Sequence, residues 1–140
     1  MDTVTPERRS EIMSRVRARG TRPEMTVRRL VHRLGYRYRL HATHLPGRPD
    51  LVFAGRRKVV FVHGCFWHRH PGCRLARLPK SRVEFWRTKL DGNRERDLLK
   101  QRELRCLGWS SLVVWECELN DLESVAERVT RFLEEPSEVG

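Results

Sequence analysis

Residues 1–20 carry apolar positions at helical spacing, but only along one narrow stripe. Most other positions in this segment are polar or charged, so the predicted helix would pack weakly against a core and is expected to contact a partner. The stripe is formed by Ile12, Met13 and Val16. The pattern therefore predicts an N-terminal helix that stands apart from the folded domain.

Residues 21–35 show the broader apolar face of a core helix. Thr21 and Glu24 have the spacing of a capping box, in which each side chain bonds the backbone N–H of the other residue. Gly35 is suited to end the helix. The capping box is by itself enough to explain why a glutamate occurs at position 24. The inward face consists of Val27, Leu30, Val31 and Leu34.

Alternation and runs of β-branched residues predict four strands. Residues 36–40 alternate between polar and apolar, and residues 50–53 and 58–62 are short apolar runs joined at Ala54-Gly55. Two such runs separated by a short glycine-containing turn are typical of a hairpin. A fourth strand is predicted over residues 110–115.

Three further helices are predicted in the second half of the chain. Residues 81–86 form a short helix capped by Ser81, and residues 93–107 form a longer one. The last helix begins at Asn120 or Asp121. Its predicted inward residues are Leu122, Val125, Val129 and Phe132.

The order α-α-β-β-β-α-α-β-α predicts an α/β fold, in which a small mixed sheet is flanked by helices within one layered domain. The length of 140 residues agrees with a single domain. That domain is predicted to cover residues 21–133, and residues 134–140 are predicted to form a disordered tail.

The charge of the chain narrows the range of partners that it is expected to bind. The formal net charge is +11 and most of the 29 basic residues are arginine, which favours a polyanionic partner such as nucleic acid. No stretch approaches the roughly 18 apolar residues of a membrane span, and the first residues lack the apolar region of a secretory signal. We therefore expect an intracellular protein without a membrane association.

The cysteines indicate a zinc site. In a reducing compartment, four cysteines favour metal-binding or core roles over disulfides. Cys65, His70 and Cys73 lie within nine residues of a predicted loop, 64–80, which is long enough to need an internal crosslink. Thiolate and imidazole ligands suit zinc, and His68 is an alternative to His70.

The fourth zinc ligand must come from elsewhere in the chain. Cys117 follows the predicted strand 110–115 and is the favoured candidate. Cys106 is the rival, but it lies among Leu98, Leu99 and Leu107 in a helical pattern. There a buried core cysteine is the expected role.

Asp50 begins a predicted strand, and the neighbouring hairpin strand ends at Val62 and His63. Asp50 can simply bond a turn amide. It can also form a sparse, open Mg²⁺ site together with the Val62 carbonyl. His63 can then take a proton from water, because its ordinary pKa lies near neutrality. His68 can stabilise the phosphate or serve the leaving group.

Asp97 lies near the start of the predicted helix 93–107, where a carboxylate is stabilised by the helix dipole. Phe66 and Trp67 are adjacent large aromatics in a loop rich in histidine and arginine, and Trp86 follows on a helix. These aromatics suit stacking on bases or insertion between base pairs. At most one of the three is expected to cover the zinc site instead.

The motifs together resemble the very-short-patch repair (Vsr) endonuclease family over roughly residues 8 to 117. The matching motifs are LPGRPD at 45–50, FVHGCFWH at 61–68, EFW at 84–86, NRERD at 93–97, LGW at 107–109 and VVWEC at 113–117. The resemblance implies the fold of type II restriction endonucleases. It also implies nicking of duplex DNA beside a T·G mismatch left by deamination of 5-methylcytosine.

The resemblance also implies roles for single residues. Asp50 and the Val62 carbonyl would bind Mg²⁺, and His63 would be the base that activates water. The residues that support the active site would be His68, Asp97 and Glu24. The zinc ligands would be Cys65, His70, Cys73 and Cys117, although Pro71 and Gly72 alter the family spacing and leave the choice between His68 and His70 open. The DNA contacts would be a wedge of Phe66, Trp67 and Trp86, opposed by Met13 and Val16 from the N-terminal helix.

We therefore expect a monomeric, Mg²⁺-dependent, zinc-stabilised endonuclease that nicks one strand of T·G-mismatched DNA in the bacterial cytoplasm, at the nucleoid. Mismatch-repair proteins are expected as further partners. Two alternatives remain at this stage. One is a restriction-like endonuclease of the same fold with another DNA target, and the other is a zinc-stabilised DNA-binding module without catalysis.

Overall fold

The computed structural model of the chain describes residues 21–136. The predicted N-terminal helix, with Met13 and Val16, lies outside the described residues. So do residues 137–140 of the predicted tail, whereas Glu134 is the last residue of a helix. No helix within the described range is both long and apolar enough to cross a membrane.

The centre of the domain is a four-stranded mixed sheet, as predicted. Neighbouring strands follow chain order, with antiparallel pairing of β1 with β2 and of β2 with β3, and parallel pairing of β3 with β4. The strands are β1 (Arg39–Leu40), β2 (Leu51–Phe53), β3 (Lys58–His63) and β4 (Ser110–Trp115).

The predicted hairpin between β2 and β3 is confirmed, with a 3-10 turn at Ala54–Arg56 and Arg57 in the left-handed region. Strand β1 is shorter than the predicted 36–40. The backbone N–H of Tyr36 donates to the Val31 carbonyl at the end of the preceding helix, so the chain joins the sheet only after this turn.

Three helices cover the two faces of the sheet. They are α1 (Arg22–Arg33), α2 (Val83–Cys106) and α3 (Leu122–Glu134). On one face, residues of α1 and α3 such as Val31 and Val129 pack against Leu51, Phe53 and Val60. On the other face, Leu104 of α2 packs against Val52, Val59 and Phe61. Alternate strand residues thus fill two separate cores, which is the layered α/β arrangement expected.

Helix α2 corrects the prediction of two helices in this region. It runs unbroken through Asn93, which is buried and donates from Nδ2 to the Trp67 carbonyl at 3.1 Å. Asn93 therefore ties α2 to the preceding loop instead of beginning a helix. The residue before α2 is Arg82, which makes no side-chain cap bond, so the predicted Ser81 cap is also wrong.

The expected core position of Cys106 is wrong as well. Leu104 is the buried residue at this end of α2, and Cys106 lies about 200° further round the helix. Cys106 is therefore exposed, and Leu98, Leu99 and Leu107 of the same apolar pattern are each about half exposed. Helix α2 faces the sheet along one line only, and these residues lie off that line.

Helix α3 is confirmed with two changes to its inward face. Asp121 is the cap, and its carboxylate accepts from the Ser124 N–H at 3.2 Å. Leu133 is buried on the inward face, Phe132 packs against the same core but is only partly buried, and Leu122 in the first turn is 40% exposed. The inward line therefore runs through Val125, Val129 and Leu133.

Candidate active site and metal centre

The ends of β3 and β4 bring the predicted site residues to one edge of the sheet. Because these strands are parallel and His63 is in register with Trp115, the residues that follow both strands emerge side by side. Asp50 precedes β2, which runs antiparallel to β3, so it lies beside the end of β3. Its Oδ2 accepts from the Val62 N–H at 2.6 Å.

Asp50 belongs to a group of potential metal ligands with Glu24 and His41, whose ligand atoms all lie within 4.8 Å of one another. Burial raises the pKa of Asp50 to about 7, against the opposing hydrogen bond from the Val62 N–H, and the Glu24 charge adds to the rise. A carboxylate in this position repels its neighbour when both are ionised. A bound cation would relieve that repulsion, and carboxylate oxygens suit Mg²⁺.

The side chain of Glu24 faces this site and does not complete the predicted capping box. The Thr21 Oγ1 accepts from the Glu24 N–H at 3.5 Å, so one half of the predicted box is present. The Glu24 carboxylate instead bonds Arg28 and approaches the His41 Nε2 at 3.0 Å. Sequence reasoning did not assign His41 a role, and nothing in the alternation of its loop distinguishes it from His44.

His68 and Asp97 form a second group, joined by a contact of 2.5 Å between Nδ1 and Oδ2. Asp97 lies in the middle of the continuous helix α2, so helix-dipole stabilisation does not explain it. The Asp97 contact is on Nδ1, which leaves the Nε2 of His68 as the ring nitrogen that can exchange a proton.

His63 lies directly against His68, with the two rings stacked at 3.8 Å and an interplanar angle of 5°. Burial lowers the pKa of His63 well below its ordinary value, and the neighbouring His68 adds to this effect. The Nδ1 atom of His63 is buried and has no hydrogen-bond partner among the described residues. Burial therefore favours the uncharged form of the His63 ring.

These groups line one open cleft of about 640 Å³. The cleft is large enough for a phosphodiester group and its adjoining sugars. Its side chains combine carboxylates, imidazoles and aromatic rings, and the residues predicted for catalysis and its support are all among them. The lining includes Glu24, His41, Asp50, His63, Phe66, Trp67, His68, Asp97 and Glu116.

Next to the cleft, four residues form a cluster that can hold a metal ion: Cys65, His70, Cys73 and Cys117. The Nδ1 of His70 lies 3.5 Å from the sulfurs of both Cys65 and Cys117. A tetrahedral zinc site with ordinary bond lengths has sulfur–nitrogen edges of about 3.5 Å. The side chains present therefore fit zinc, and the two rivals lie elsewhere, since His68 bonds Asp97 and Cys106 is exposed.

Two residues that sequence reasoning missed support this cluster. The ring of Trp115 stacks on His70 at 4.1 Å and 10°, and a carboxylate oxygen of Glu116 accepts from the Cys65 N–H at 3.0 Å. Both residues follow from the register of β4, because they lie between its last buried residue and Cys117. Trp115, and not Phe66, Trp67 or Trp86, is thus the aromatic ring on the zinc-type cluster.

The three aromatics of the predicted wedge differ in exposure. Trp67 and Trp86 are 8% and 4% exposed, and they pack with Leu90 in a third apolar cluster. Phe66 packs against this cluster and is only partly buried. Both tryptophans of the predicted wedge are therefore core residues in the DNA-free protein. Phe66 offers the accessible ring.

Comparisons with known proteins agree with the motifs. The family described as DNA mismatch endonuclease Vsr matches residues 1–74. The type II nicking enzyme V.XorIIP of Xanthomonas oryzae is 52% identical over 133 residues, covering 95% of this chain and 97% of that protein. The DNA mismatch endonuclease Vsr of Escherichia coli is 42% identical over 128 residues, covering 91% of this chain and 81% of that protein. The type II nicking enzyme V.NmeAIP of Neisseria meningitidis is 39% identical over 134 residues, covering 96% of this chain and 95% of that protein.

The metal cluster predicts that Cys117→Ser will lose bound zinc and unfold at markedly lower temperature, because the binding energy of a structural metal is folding energy. The matched variant Cys106→Ser should keep its zinc and its stability, since Cys106 is exposed and lies outside the cluster. Metal analysis and thermal unfolding of both purified variants measure this. Zinc loss in Cys106→Ser with retention in Cys117→Ser would contradict the ligand set.

Asp50→Asn is expected to stabilise the protein when no divalent cation is added. Between the unfolded pKa near 4 and the folded pKa of about 7, the folded state binds the extra proton, so wild-type stability falls as pH rises through this window. The gain from the neutral amide should therefore be roughly 1–2 kcal/mol larger at pH 8 than at pH 5.5.

Denaturant unfolding at the two pH values measures this difference. The control is Asp91→Asn, because Asp91 is half exposed and pairs with Arg69 at the surface. A pH-independent effect of Asp50→Asn, or a loss of stability at pH 8, would show that the Asp50 carboxylate is not held at a cost in the folded protein.

Proposed function

We propose that this chain, which belongs to the Vsr family of DNA mismatch endonucleases, nicks one strand of duplex DNA at T·G mismatches in a Mg²⁺-dependent reaction. The observation that carries the proposal is the convergence of Asp50, Glu24 and the His68–Asp97 pair in one open cleft beside the accessible ring of Phe66. A DNA-binding module without catalysis requires no such arrangement. The names of two similar proteins, both called nicking enzymes, support single-strand cleavage.

In this proposal, Asp50, the Val62 carbonyl and Glu24 are the groups that would hold Mg²⁺. When bound, the ion would supply positive charge to the scissile phosphate and lower the pKa of a bound water. The second metal, zinc, would be held by Cys65, His70, Cys73 and Cys117 and would serve the fold alone. Its cluster joins the loop after β3 to the end of β4, next to the cleft.

The base in this mechanism is His68, which revises our expectation from sequence that His63 has this role. Asp97 holds the Nδ1–H of His68, so the Nε2 lone pair is available to accept a proton from the attacking water. Asp97 also stabilises the imidazolium that results. His63 is buried and uncharged, so it is better suited to donate a hydrogen bond to the phosphate.

The chemical step is an in-line hydrolysis. The water oxygen bonds to phosphorus, its proton passes to His68, and the bond from phosphorus to the 3′ oxygen breaks. The 3′ oxygen leaves with a proton from solvent, which gives a 5′-phosphate and a 3′-hydroxyl. The reaction consumes one water and needs no other co-reactant.

Selectivity for the mismatch would come from insertion of aromatic side chains between base pairs, which costs less at a T·G pair than at a matched pair. Phe66 would enter first, because Trp67 and Trp86 are buried in the DNA-free protein. The net charge of +11 would bind the phosphate backbone and disfavour self-association, so the protein would act as a monomer on DNA in the bacterial cytoplasm. Mismatch-repair proteins remain proposed partners.

The nicking prediction is tested with a pool of duplexes that carry a central T·G pair in varied flanking sequences, and with the same pool carrying T·A. We expect Mg²⁺-dependent nicks on one strand of the T·G pool only. His68→Gln should lower the nicking rate by roughly 100-fold or more. The control His44→Gln should have no effect, because His44 is an exposed residue in a loop.

Equal nicking of both pools would favour a restriction-like enzyme with another target. Tight binding without nicking of any duplex would favour a binding module. Asp50→Ala separates catalysis from binding, since it should abolish nicking and leave DNA affinity nearly unchanged.

The wedge proposal predicts that Phe66→Ala will weaken binding to T·G duplexes by about 5- to 100-fold, the range expected for loss of one stacked ring. Binding to matched duplexes should change little, because it depends on arginine–phosphate contacts. Trp67→Ala should instead destabilise the protein by roughly 3–5 kcal/mol, because it empties a buried site. Equal loss of affinity for both duplexes in Phe66→Ala would contradict insertion by this ring.

A further inference from the structure

His41 lies in the cleft but has no role in the mechanism above. It follows β1, and its backbone N–H donates to the Asp50 carbonyl at 3.3 Å. Its φ is +48°, in the left-handed region that residues with a Cβ rarely adopt. Asparagine, aspartate and histidine accept this conformation more readily than most residues do. The loop thus holds His41 in an uncommon conformation, and such positions are often found at functional sites.

The side chain of His41 is 13% exposed, and its Nε2 makes two contacts. One is with the Glu24 Oε2 at 3.0 Å, and the other is with the Nη2 of Arg28, also at 3.0 Å. Arg28 pairs in turn with the same oxygen of Glu24 from the next turn of α1. The Glu24 carboxylate is therefore held by two side chains from two different elements.

The cluster of Glu24, His41 and Asp50 has the composition of a metal site, but Arg28 changes its interpretation. The Arg28 guanidinium already contacts both the Glu24 oxygen and the His41 nitrogen. A positively charged side chain therefore lies where these two atoms could otherwise share a metal ion. His41 thus supports Glu24 within a hydrogen-bonded network. A metal ion would be held by the carboxylates of Glu24 and Asp50, while Arg28 and His41 would hold the Glu24 carboxylate in place.

We infer that His41 is a positioning residue, which fixes the Glu24 carboxylate next to Asp50 so that the two acids are ready to bind a divalent cation. This inference rests on the cation site of the proposed function. Without His41, the cationic partner left to the Glu24 carboxylate in this cluster would be Arg28, a partly exposed residue on its own helix. Side chains that orient metal ligands in this way typically change metal affinity by about 10- to 100-fold.

The test is calorimetric titration of Mn²⁺ into the zinc-loaded protein without DNA, comparing His41→Asn, His41→Gln and the control His44→Asn. Asparagine accepts the left-handed backbone but is too short to reach Glu24, whereas glutamine is long enough to donate to it. We expect Mn²⁺ affinity to fall by about 10-fold or more in His41→Asn and to recover to within about threefold in His41→Gln. His44→Asn should match the wild type, and thermal unfolding should be similar for all three variants.

Wild-type affinity in His41→Asn would overturn the inference. A His41→Gln variant that is as stable as the wild type but binds Mn²⁺ as weakly as His41→Asn would also overturn it, because the imidazole would then be a metal ligand itself. A protein that binds Mn²⁺ in this His41-dependent way but nicks no T·G duplex would contradict the proposed target and leave the role of His41 standing. A wild-type protein that binds no Mn²⁺ would contradict both.

Discussion

The parallel pairing of β3 with β4 is the constraint on which both sites depend. It places the end of β3, from which His63 and the loop with Cys65 emerge, beside the end of β4, from which Trp115 and Cys117 emerge. A parallel pair needs a long connection, and here that connection contains the loop after β3 and all of α2. The same connection carries His68 and Asp97, so the topology that closes the sheet also assembles the cleft.

The electrostatics of the cleft oppose those of the whole molecule. The chain is strongly basic, yet its cleft gathers Glu24, Asp50 and Asp97 around the imidazoles of His63 and His68. Burial and the neighbouring charge of Glu24 raise the pKa of Asp50, so its ionised form is disfavoured in the DNA-free protein. A polyanionic partner would thus be attracted by the surface and repelled by the cleft unless a cation entered with it. Such an arrangement would make the cation and the DNA cooperative ligands.

Hydrophobic periodicity was sufficient for the parts of the fold in which one face meets the core. The sheet, the hairpin and the helices α1 and α3 were predicted in this way. Asp50 could be placed against the end of β3 because, in a hairpin, the start of the first strand lies beside the end of the second. Spacing within one loop indicated three members of the cysteine cluster. Cys117 followed from its position after a strand.

The failures have a common physical cause, which is that local signals were outweighed by contacts distant in sequence. Asn93 has the character of a helix cap but bonds the Trp67 carbonyl, so α2 continues through it. Trp67 and Trp86 were predicted to belong to a DNA-inserting wedge but pack with Leu90 in the DNA-free protein. His41 lies near Glu24 only because β1 pairs with β2. The bond from Asn93 to Trp67 has one more consequence, because Asn93 and Asp97 lie one turn apart on α2. The aromatic loop and the carboxylate that bonds His68 are therefore anchored to the same stretch of helix, so a movement of one on binding DNA would also displace the other.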